Sequence, residues 1–256
     1  MIDTNVDLFQ WPFRRVAGDD PAKLVANLHK KGVTQAWAGS YEALLYRDMA
    51  GVNARLATAA KQHGPNFLVP FGSINPKLPD WQEDVRRCVE VHKMPGIRLH
   101  PNYHGYTLDD PAAGELLALA AGKNLLVQIA ISMEDIRTQS PLMVVHPVDP
   151  GPLADFLKRM PNLRVDLLNA GYHGGVNTKH IDEIIKLDNV YLDFACQESV
   201  GGVAKLIAQS SPKRVVFGSH YPFFYFESSF LKVWEARLPA DQIQAVLEGN
   251  ARALLG

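Results

Sequence analysis

The chain has 256 residues, 47% of them hydrophobic and 21% charged, a composition typical of a globular protein with one large core. Its 26 Lys and Arg residues nearly balance 27 Asp and Glu, and no long basic patch occurs, which argues against nucleic-acid and membrane partners. The isolated Cys88 and Cys196 and the lack of a leader-like apolar segment predict buried thiols in a cytoplasmic protein.

Short apolar segments alternate along the chain with amphipathic segments that carry helix signals, for example the cap and N1 proline of "DDP" at residues 19 to 21. This alternation is typical of β/α units around a parallel sheet. Eight such units in one chain of this length predict an α/β protein, a single-domain (β/α)8 TIM barrel over residues 1–256. The predicted strands are 2–8, 34–39, 67–73, 96–100, 125–131, 163–169, 190–195 and 215–219.

The loop after the first predicted strand, "NVDLFQWPFRR", contains no glycine. An open dinucleotide-binding sheet would place a glycine-rich phosphate loop there. The closed barrel is therefore favoured over a doubly wound sheet.

Polar side chains follow seven of the eight predicted strands at their C-terminal ends, where TIM barrels carry their chemistry. The fourth strand is the richest, because Arg98 and His100 share one face and the loop adds Tyr106. Beyond the sixth strand, Tyr172 and His173 follow Asn169. A purely structural barrel core would fill such positions with branched apolar residues, so their convergence predicts a functional site.

These segments resemble the amidohydrolase superfamily, specifically the branch of small barrel hydrolases and decarboxylases called amidohydrolase 2. The resemblance rests on "IDTNVDL", "GIRLHPNYHGYTLDDP", "LLVQIAIS", "LRVDLLNAG", "NVYLDFA", "RVVFGSHYPF" and "EGNARALLG", which span nearly the whole chain. It implies a His-x-His pair after strand one, a His on strands five and six and an Asp on strand eight, which together hold one or two divalent metals.

The sequence departs from that implied pattern at every ligand position. The strand-one pair is Asn5 and Asp7, the two histidine positions fall on Ala130 and Asn169, and the strand-eight position is His220. Amide oxygens are weak zinc ligands and a methyl group is none. Only Asp7 and His220 remain as metal ligands, so we predict substituted metal ligands and no cofactor.

The predicted function is a hydrolase or lyase that acts on a small carbonyl or carboxylate compound without a metal. Asp7 and His220, on neighbouring strands, form a hydrogen-bonded general-base pair in which the carboxylate raises the pKa of the imidazole. Arg98 and His100 bind an anion or an oxyanion, and Asn169 donates a further hydrogen bond. The predicted catalytic residues are Asp7, His220, His100 and Asn169, and the predicted substrate-binding residues are Asn5, Arg14, Arg98, Gln128 and Tyr106.

Several alternatives stay open at this point. In the first, Asp7 and His220 form only a structural pair. In the second, Arg98 is a structural residue tied to Asp193 or Glu198. A metal such as zinc binds a rebuilt site, although recruitment of His100 is disfavoured because strand four lies across the barrel from strands one and eight. A further alternative is that the chain is a non-catalytic descendant of the family that binds a small molecule. Whether the chain forms a homo-oligomer is also open.

Overall fold

The computed structural model describes residues 1–171 and 178–256, without the side chains of residues 178 and 179. Tyr172 and His173, predicted beside the site, lie outside the described residues. The strands are β1 Ile2–Leu8, β2 Gln35–Ser40, β3 Leu68–Pro70, β4 Gly72–Ser73, β5 Gly96–Leu99, β6 Leu126–Ala130, β7 Arg164–Leu168 and β8 Val190–Leu192.

Helices follow the strands as the sequence predicts. They are α1 Pro21–Lys30, α2 Met49–His63, α3 Trp81–Glu90, α4 Pro101–His104, α5 Pro111–Gly122, α6 Leu153–Arg159, α7 Thr178–Ile184, α8 Gly202–Gln209, α9 Phe226–Glu235, α10 Ala240–Gln244 and α11 Asn250–Leu255. Short 3-10 turns occupy Tyr41–Leu44 and Ile136–Thr138, and a π turn, Ala245–Gly249, joins α10 to α11. Within the described part of the chain, no helix is long and apolar enough to cross a membrane.

All strand pairs are parallel, in the order β1-β2-β3 and β4-β5-β6-β7-β8. The third predicted strand is therefore divided at Phe71, so that β3 pairs with β2 and β4 pairs with β5. The eighth predicted strand and the residues just after it contribute isolated bridges, Leu192 with Val215 and Val6 with Tyr221. These bridges close the ring, and the predicted α/β barrel fold is confirmed.

A side chain of β1 contributes to the closure. Asp3 accepts hydrogen bonds from the backbone nitrogen of Ser219 at 3.0 Å and from its hydroxyl at 2.5 Å. Backbone hydrogen bonds also join β1 to the last segment, from Thr4 to the Phe217 carbonyl at 2.9 Å and from Asp7 to the Tyr221 carbonyl at 3.1 Å. The carboxylate of Asp3 thus adds to the backbone pairing where the last segment meets the first strand.

Most of the apolar core lies between the strands and the helices, whereas the barrel interior is layered. Near the N-terminal ends of the strands, Trp37, Phe71, Leu126 and Val216 pack together in one buried cluster. Two residues further along the strands, on the same inward face, Gly39, Arg98 and Gln128 stand in place of large apolar side chains. The interior therefore changes from apolar to polar toward the end where the predicted site lies.

We expect the Ser219→Ala variant to lose about 1–3 kcal/mol of unfolding free energy, because a buried carboxylate oxygen of Asp3 loses its hydroxyl donor. A loss of that size lowers Tm by roughly 2–4 °C per kcal/mol in a protein of this length. Ser140→Ala, which removes an exposed hydroxyl, is the matched control and should change the unfolding free energy by less than about 0.5 kcal/mol. Equal denaturation midpoints for both variants would contradict the role of Asp3 in closure.

Candidate active site

A row of polar side chains crosses three adjacent strands because their register aligns it. Arg98 on β5 pairs in register with Gln128 on β6, and Gln128 pairs with Asp166 on β7. The Gln128 side-chain oxygen accepts from Arg98 Nε at 3.0 Å and Nη2 at 2.9 Å, while its nitrogen donates to Asp166 Oδ2 at 2.9 Å. The same nitrogen donates to the carbonyl of Thr4 at 2.8 Å. Gln128 is therefore committed to the barrel interior.

Arg98 reaches across the interior to β1. Its Nη1 donates to Asp7 Oδ1 at 2.8 Å and to the Val6 carbonyl at 2.9 Å, and Nη2 donates to the Trp37 carbonyl at 3.2 Å. The Arg98 and Asp7 side chains are 0% and 1% exposed. The alternative that Arg98 is structural is supported, but its partner is Asp7 and not Asp193 or Glu198.

The predictions that Arg98 and Gln128 bind substrate stay predictions, and the structure gives both side chains protein partners. Every nitrogen of the guanidinium already donates to a protein acceptor, and the amide of Gln128 is equally occupied. The fourth predicted strand lies across the barrel from the first, as expected, but an arginine is long enough to span the small interior of an eight-stranded barrel.

The missing side chain of Gly39 makes room for this ion pair. A Cβ atom on Gly39 would lie 2.5 Å from Asp7 Oδ1 and 2.6 Å from Arg98 Nη1. Gly39 pairs in register with Asp7, so the position next to the carboxylate has to be a glycine for the guanidinium to enter. No motif or periodicity in the sequence marks this glycine.

Asp7 and His220 face one another without a direct hydrogen bond. His220 Nδ1 is 4.0 Å from Asp7 Oδ2, and its Nε2 is 3.0 Å from the Met133 carbonyl. The predicted hydrogen bond is therefore wrong. The predicted rise in pKa is wrong as well, because burial lowers the pKa of His220 and outweighs the opposing attraction of Asp7.

His100 directly follows the C-terminal end of β5 and is fully buried. Neither of its ring nitrogens has a hydrogen-bond partner within residues 1–171 and 178–256. Burial, together with the nearby groups His104, Arg98 and His220, lowers the pKa of His100 well below its usual range. His100 is therefore a neutral imidazole with an unused donor and an unused acceptor.

Asn5 and Asn169 belong to a second network. The Asn5 amide nitrogen donates to Asn169 Oδ1 at 2.8 Å and to Asp193 Oδ2 at 2.6 Å, and Asn169 Nδ2 donates to the Ser132 carbonyl at 2.8 Å. A Cβ on Gly218 would lie 2.6 Å from Asp193 Cβ, so a glycine again admits a polar pair. The network fixes both asparagines in the site wall.

Two residues of the site have left-handed backbone conformations that β-carbon-bearing residues rarely adopt. The φ angles are 58° for Asn169 and 55° for His220. Such conformations persist where the surroundings enforce them and concentrate at functional sites. They turn the chain at the C-terminal ends of the sixth and eighth predicted strands.

Three carboxyl groups of the interior have raised pKa values. Burial raises the pKa of Asp3 and of Asp166 to about 7 and that of Asp193 to about 6, despite the hydrogen bonds that each accepts. The charge of Asp193 adds to the rise at Asp166. Asp3 and Asp166 are not among the predicted site residues. The signal for Asp3 is its spacing, because it precedes Asn5 by two residues and shares its face of the strand.

Aromatic side chains cover the site. Trp11 makes edge-on ring contacts with Tyr41 at 5.3 Å and Phe223 at 4.9 Å, and Phe223 lies 5.1 Å from the ring of His220. Trp11 and Tyr41 also line a surface cavity of about 870 Å³, together with residues 9, 10, 12, 15–21, 23, 42, 45 and 46. We call Trp11, Tyr41 and Phe223 the aromatic cap.

The guanidinium carbon of Arg14 lies 4.9 Å above the Phe223 ring, and its Nε is 4.0 Å from Glu134 Oε1. Arg14 thus borders the aromatic cap. Tyr106 is buried, and its ring lies 6.4 Å from the ring of His104, which in turn lies 6.0 Å from that of His100. Tyr106 also lines a different cavity, of about 700 Å³, beside residues 144–149.

The sequence profile of the Amidohydrolase family, Amidohydro_2, matches residues 8–256. The chain belongs to this family. A comparison with curated proteins finds no match.

Solved structures with the same fold include three decarboxylases. The chain is similar to 2,6-dihydroxybenzoate decarboxylase from Rhizobium, with 11% identity, a TM-score of 0.70, and coverage of 99% of this chain and 98% of that one. It is similar to 5-carboxyvanillate decarboxylase from Sphingomonas paucimobilis, with 14% identity, a TM-score of 0.73, and coverage of 100% and 98%. A 5-carboxyvanillate decarboxylase from Novosphingobium aromaticivorans, with bound manganese and a nitrobenzoic acid, gives 13% identity, a TM-score of 0.73, and coverage of 99% and 96%.

The residues of this site do not fit a divalent metal. Within the described ranges, no group of three or more His, Cys, Asp or Glu side chains is placed to hold one. Asp7 and His220 supply two donors, and the second oxygen of Asp7 already accepts from Arg98. A guanidinium on the same carboxylate repels a dication, and zinc sites usually need three protein ligands.

We expect the raised pKa of Asp166 to make stability depend on pH. The native state keeps a proton that the unfolded state releases between about pH 4 and pH 7, so unfolding free energy falls as pH rises through that window. Asn cannot titrate, and it keeps an acceptor for Gln128. The difference in Tm between the Asp166→Asn variant and the parent protein should therefore grow by about 2–4 °C when the pH is raised from about 5 to about 8.

The control for this pH experiment is Asp188→Asn, because Asp188 has a fully exposed side chain. It should show the same Tm difference from the parent at both pH values. A difference for Asp166→Asn that stays constant from pH 5 to pH 8 would contradict the raised pKa.

Proposed function

We propose that this protein is an enzyme that acts on a small planar carboxylate, most simply as a decarboxylase, with Asp7 and His220 as a metal-free proton-transfer pair. The observation that carries the proposal is the pair of facing atoms Asp7 Oδ2 and His220 Nδ1. They lie 4.0 Å apart, are fully buried, and have no hydrogen-bond partner among the described residues. Unsatisfied buried polar atoms cost about 1–3 kcal/mol each, so a ligand that satisfies both explains their retention.

Burial favours decarboxylation over hydrolysis. Asp7, His100 and His220 are at most 1% exposed, and the aromatic cap covers them. A water-poor site weakens the solvation of a bound carboxylate and so favours its loss as neutral CO₂. Hydrolysis needs a water molecule beside the carbonyl, with Asp7 as its base, and this is the second candidate reaction.

The decarboxylation balances with one proton. The carbon–carbon bond to the carboxylate breaks, its electron pair stays on the substrate carbon, and CO₂ leaves. The proton that reaches that carbon is taken up from solvent by the Asp7 and His220 pair when the anionic substrate binds, so each turnover consumes one proton and returns the pair to its starting state. The neutral imidazole of His100 donates a hydrogen bond to the oxygen on which negative charge develops. Asn5 and Asn169 hold the wall of the site and act as positioning residues.

The aromatic cap supports a planar substrate. Trp11, Tyr41 and Phe223 offer ring faces and edges, and the half-exposed Arg14 supplies a positive charge beside Phe223. Its contact with Glu134 at 4.0 Å is longer than a hydrogen bond, so a substrate carboxylate can compete for the guanidinium. The names of the similar structures, a dihydroxybenzoate and two carboxyvanillate decarboxylases, point to aromatic carboxylates as the first compounds to assay.

We expect Asp7→Asn to lower kcat by about 100-fold to 10,000-fold, because the amide keeps the acceptor for Arg98 but cannot carry the proton. The assay follows CO₂ release and ultraviolet absorbance with hydroxybenzoates and carboxyvanillate, and a parallel panel of lactones tests hydrolysis. Circular dichroism should be unchanged. Asp188→Asn is the control with full activity. Binding of panel compounds without turnover of any would instead identify a non-catalytic small-molecule-binding protein.

We expect Arg14→Gln to raise KM about tenfold and to leave kcat within about threefold, because a charge-assisted contact at the edge of the site is lost, whereas the proton-transfer pair is intact. Arg47→Gln, at an exposed position, is the control with unchanged kinetics. A fall in kcat with unchanged KM would contradict the binding role of Arg14.

A further inference from the structure

We propose that Arg98 is the resident cation of this site: its guanidinium supplies the positive charge on Asp7, and no divalent metal binds there. The inference rests on the proposed function, in which Asp7 acts with His220. Arg98 acts through Asp7 and does not contact the substrate, so it is a positioning residue.

The first support is the way in which Arg98 is fixed. Its six hydrogen bonds end on the carbonyls of Thr4, Val6 and Trp37, on the Gln128 oxygen and on Asp7 Oδ1. Three of these acceptors are backbone atoms of β1 and β2, and the side chain has no exposed surface. The guanidinium is therefore held in place like a bound ion, and it links the two sides of the barrel.

The second support is that the two carboxylate oxygens of Asp7 have different neighbours. Arg98 bonds to Oδ1 at 2.8 Å, and Oδ2 faces His220. Guanidinium groups often bind both oxygens of a carboxylate, but Arg98 binds a single oxygen of Asp7 and donates its other hydrogen bonds to backbone carbonyls and Gln128. The positive charge therefore compensates a buried carboxylate and leaves one oxygen free for proton transfer.

The third support is that the space is reserved for the pair. The Cβ-free position of Gly39 is filled by Asp7 Oδ1 and Arg98 Nη1, both within 2.6 Å of where a β-carbon would lie. In Gly39→Ala both charged side chains are retained, but they have to move apart. This variant separates the geometry of the pair from its composition.

The first test is metal binding to the unaltered protein after dialysis against a chelator. Manganese is added at equimolar concentration, and the free ion is followed by electron paramagnetic resonance. We expect the free Mn²⁺ signal to be unchanged and kcat with any substrate to be insensitive to the chelator. One tightly bound equivalent that is lost in Asp7→Asn would overturn the proposal. This measurement requires neither turnover nor a destabilised variant.

The second test is a double-mutant cycle in thermal unfolding. Arg98→Met should lower Tm by roughly 10 °C, because Asp7 is left buried without its cation. Adding Asp7→Asn to that variant should recover at least half of the loss. If Arg98 served only to tie together the backbone of β1 and β2, the double variant would be no more stable than Arg98→Met. Arg86→Met, which removes exposed ion pairs on α3, is the control and should shift Tm by less than about 2 °C.

The third test separates a positioning role from substrate binding. Arg98→Lys and Gly39→Ala should each lower kcat at least tenfold with KM within threefold, and Gly122→Ala, where no atom lies within 4 Å of an added Cβ, should change neither. A rise in KM alone would place Arg98 on the substrate and overturn the proposal. If no substrate is found, the proposed function fails, whereas metal binding and the double-mutant cycle still decide the role of Arg98.

Discussion

A guanidinium and a carboxylate buried together in the middle of a barrel constrain everything around them. Taking both charges out of water is costly, and their attraction offsets the cost only when the remaining donors are also satisfied. In this protein Arg98 finds those acceptors on β1, β2 and β6. The strands that surround the pair therefore supply carbonyls, an amide side chain and a glycine at positions where most barrels carry branched apolar residues.

The same constraint explains the layering of the interior. An apolar layer with Trp37 and Phe71 lies at one end, and the aromatic cap lies at the other. Between them lie the buried carboxyl groups of Asp3, Asp166 and Asp193, and burial raises the pKa of each. Asp7 lies in the same polar layer and is the carboxyl group that forms the ion pair with Arg98.

The fold was predictable because β/α alternation is a local property of the sequence. Apolar segments of strand length, helix caps and the absence of a glycine loop after the first strand were sufficient to predict the barrel. The exception is the eighth predicted strand, which forms an isolated bridge at Val215 and is also held by Asp3 through Ser219. This side-chain contact joins residues 216 positions apart, which periodicity does not reveal.

The site was only partly predictable. Strand parity correctly placed Asn5, Asp7, Arg98 and His100 in the interior, but parity says nothing about how far a side chain reaches. Arg98 was therefore assigned to the substrate when its length takes it to Asp7 across the barrel. Gly39 and Asp166 were missed because their roles come from register, which pairs Gly39 with Asp7 and Asp166 with Gln128. The available signal for Asp166 was that the neighbouring strands also carry polar residues at the same level, Arg98 on β5 and Gln128 on β6.

The central claim is that Arg98, and not a metal, is the cation on Asp7. The most direct measurement is a crystal structure of the protein grown with manganese, with anomalous diffraction data collected at the manganese absorption edge. The account predicts no anomalous peak between Asp7 and His220, and continuous density from the guanidinium of Arg98 to Asp7 Oδ1. An anomalous peak bonded to both Asp7 and His220, with Arg98 turned away, would contradict it.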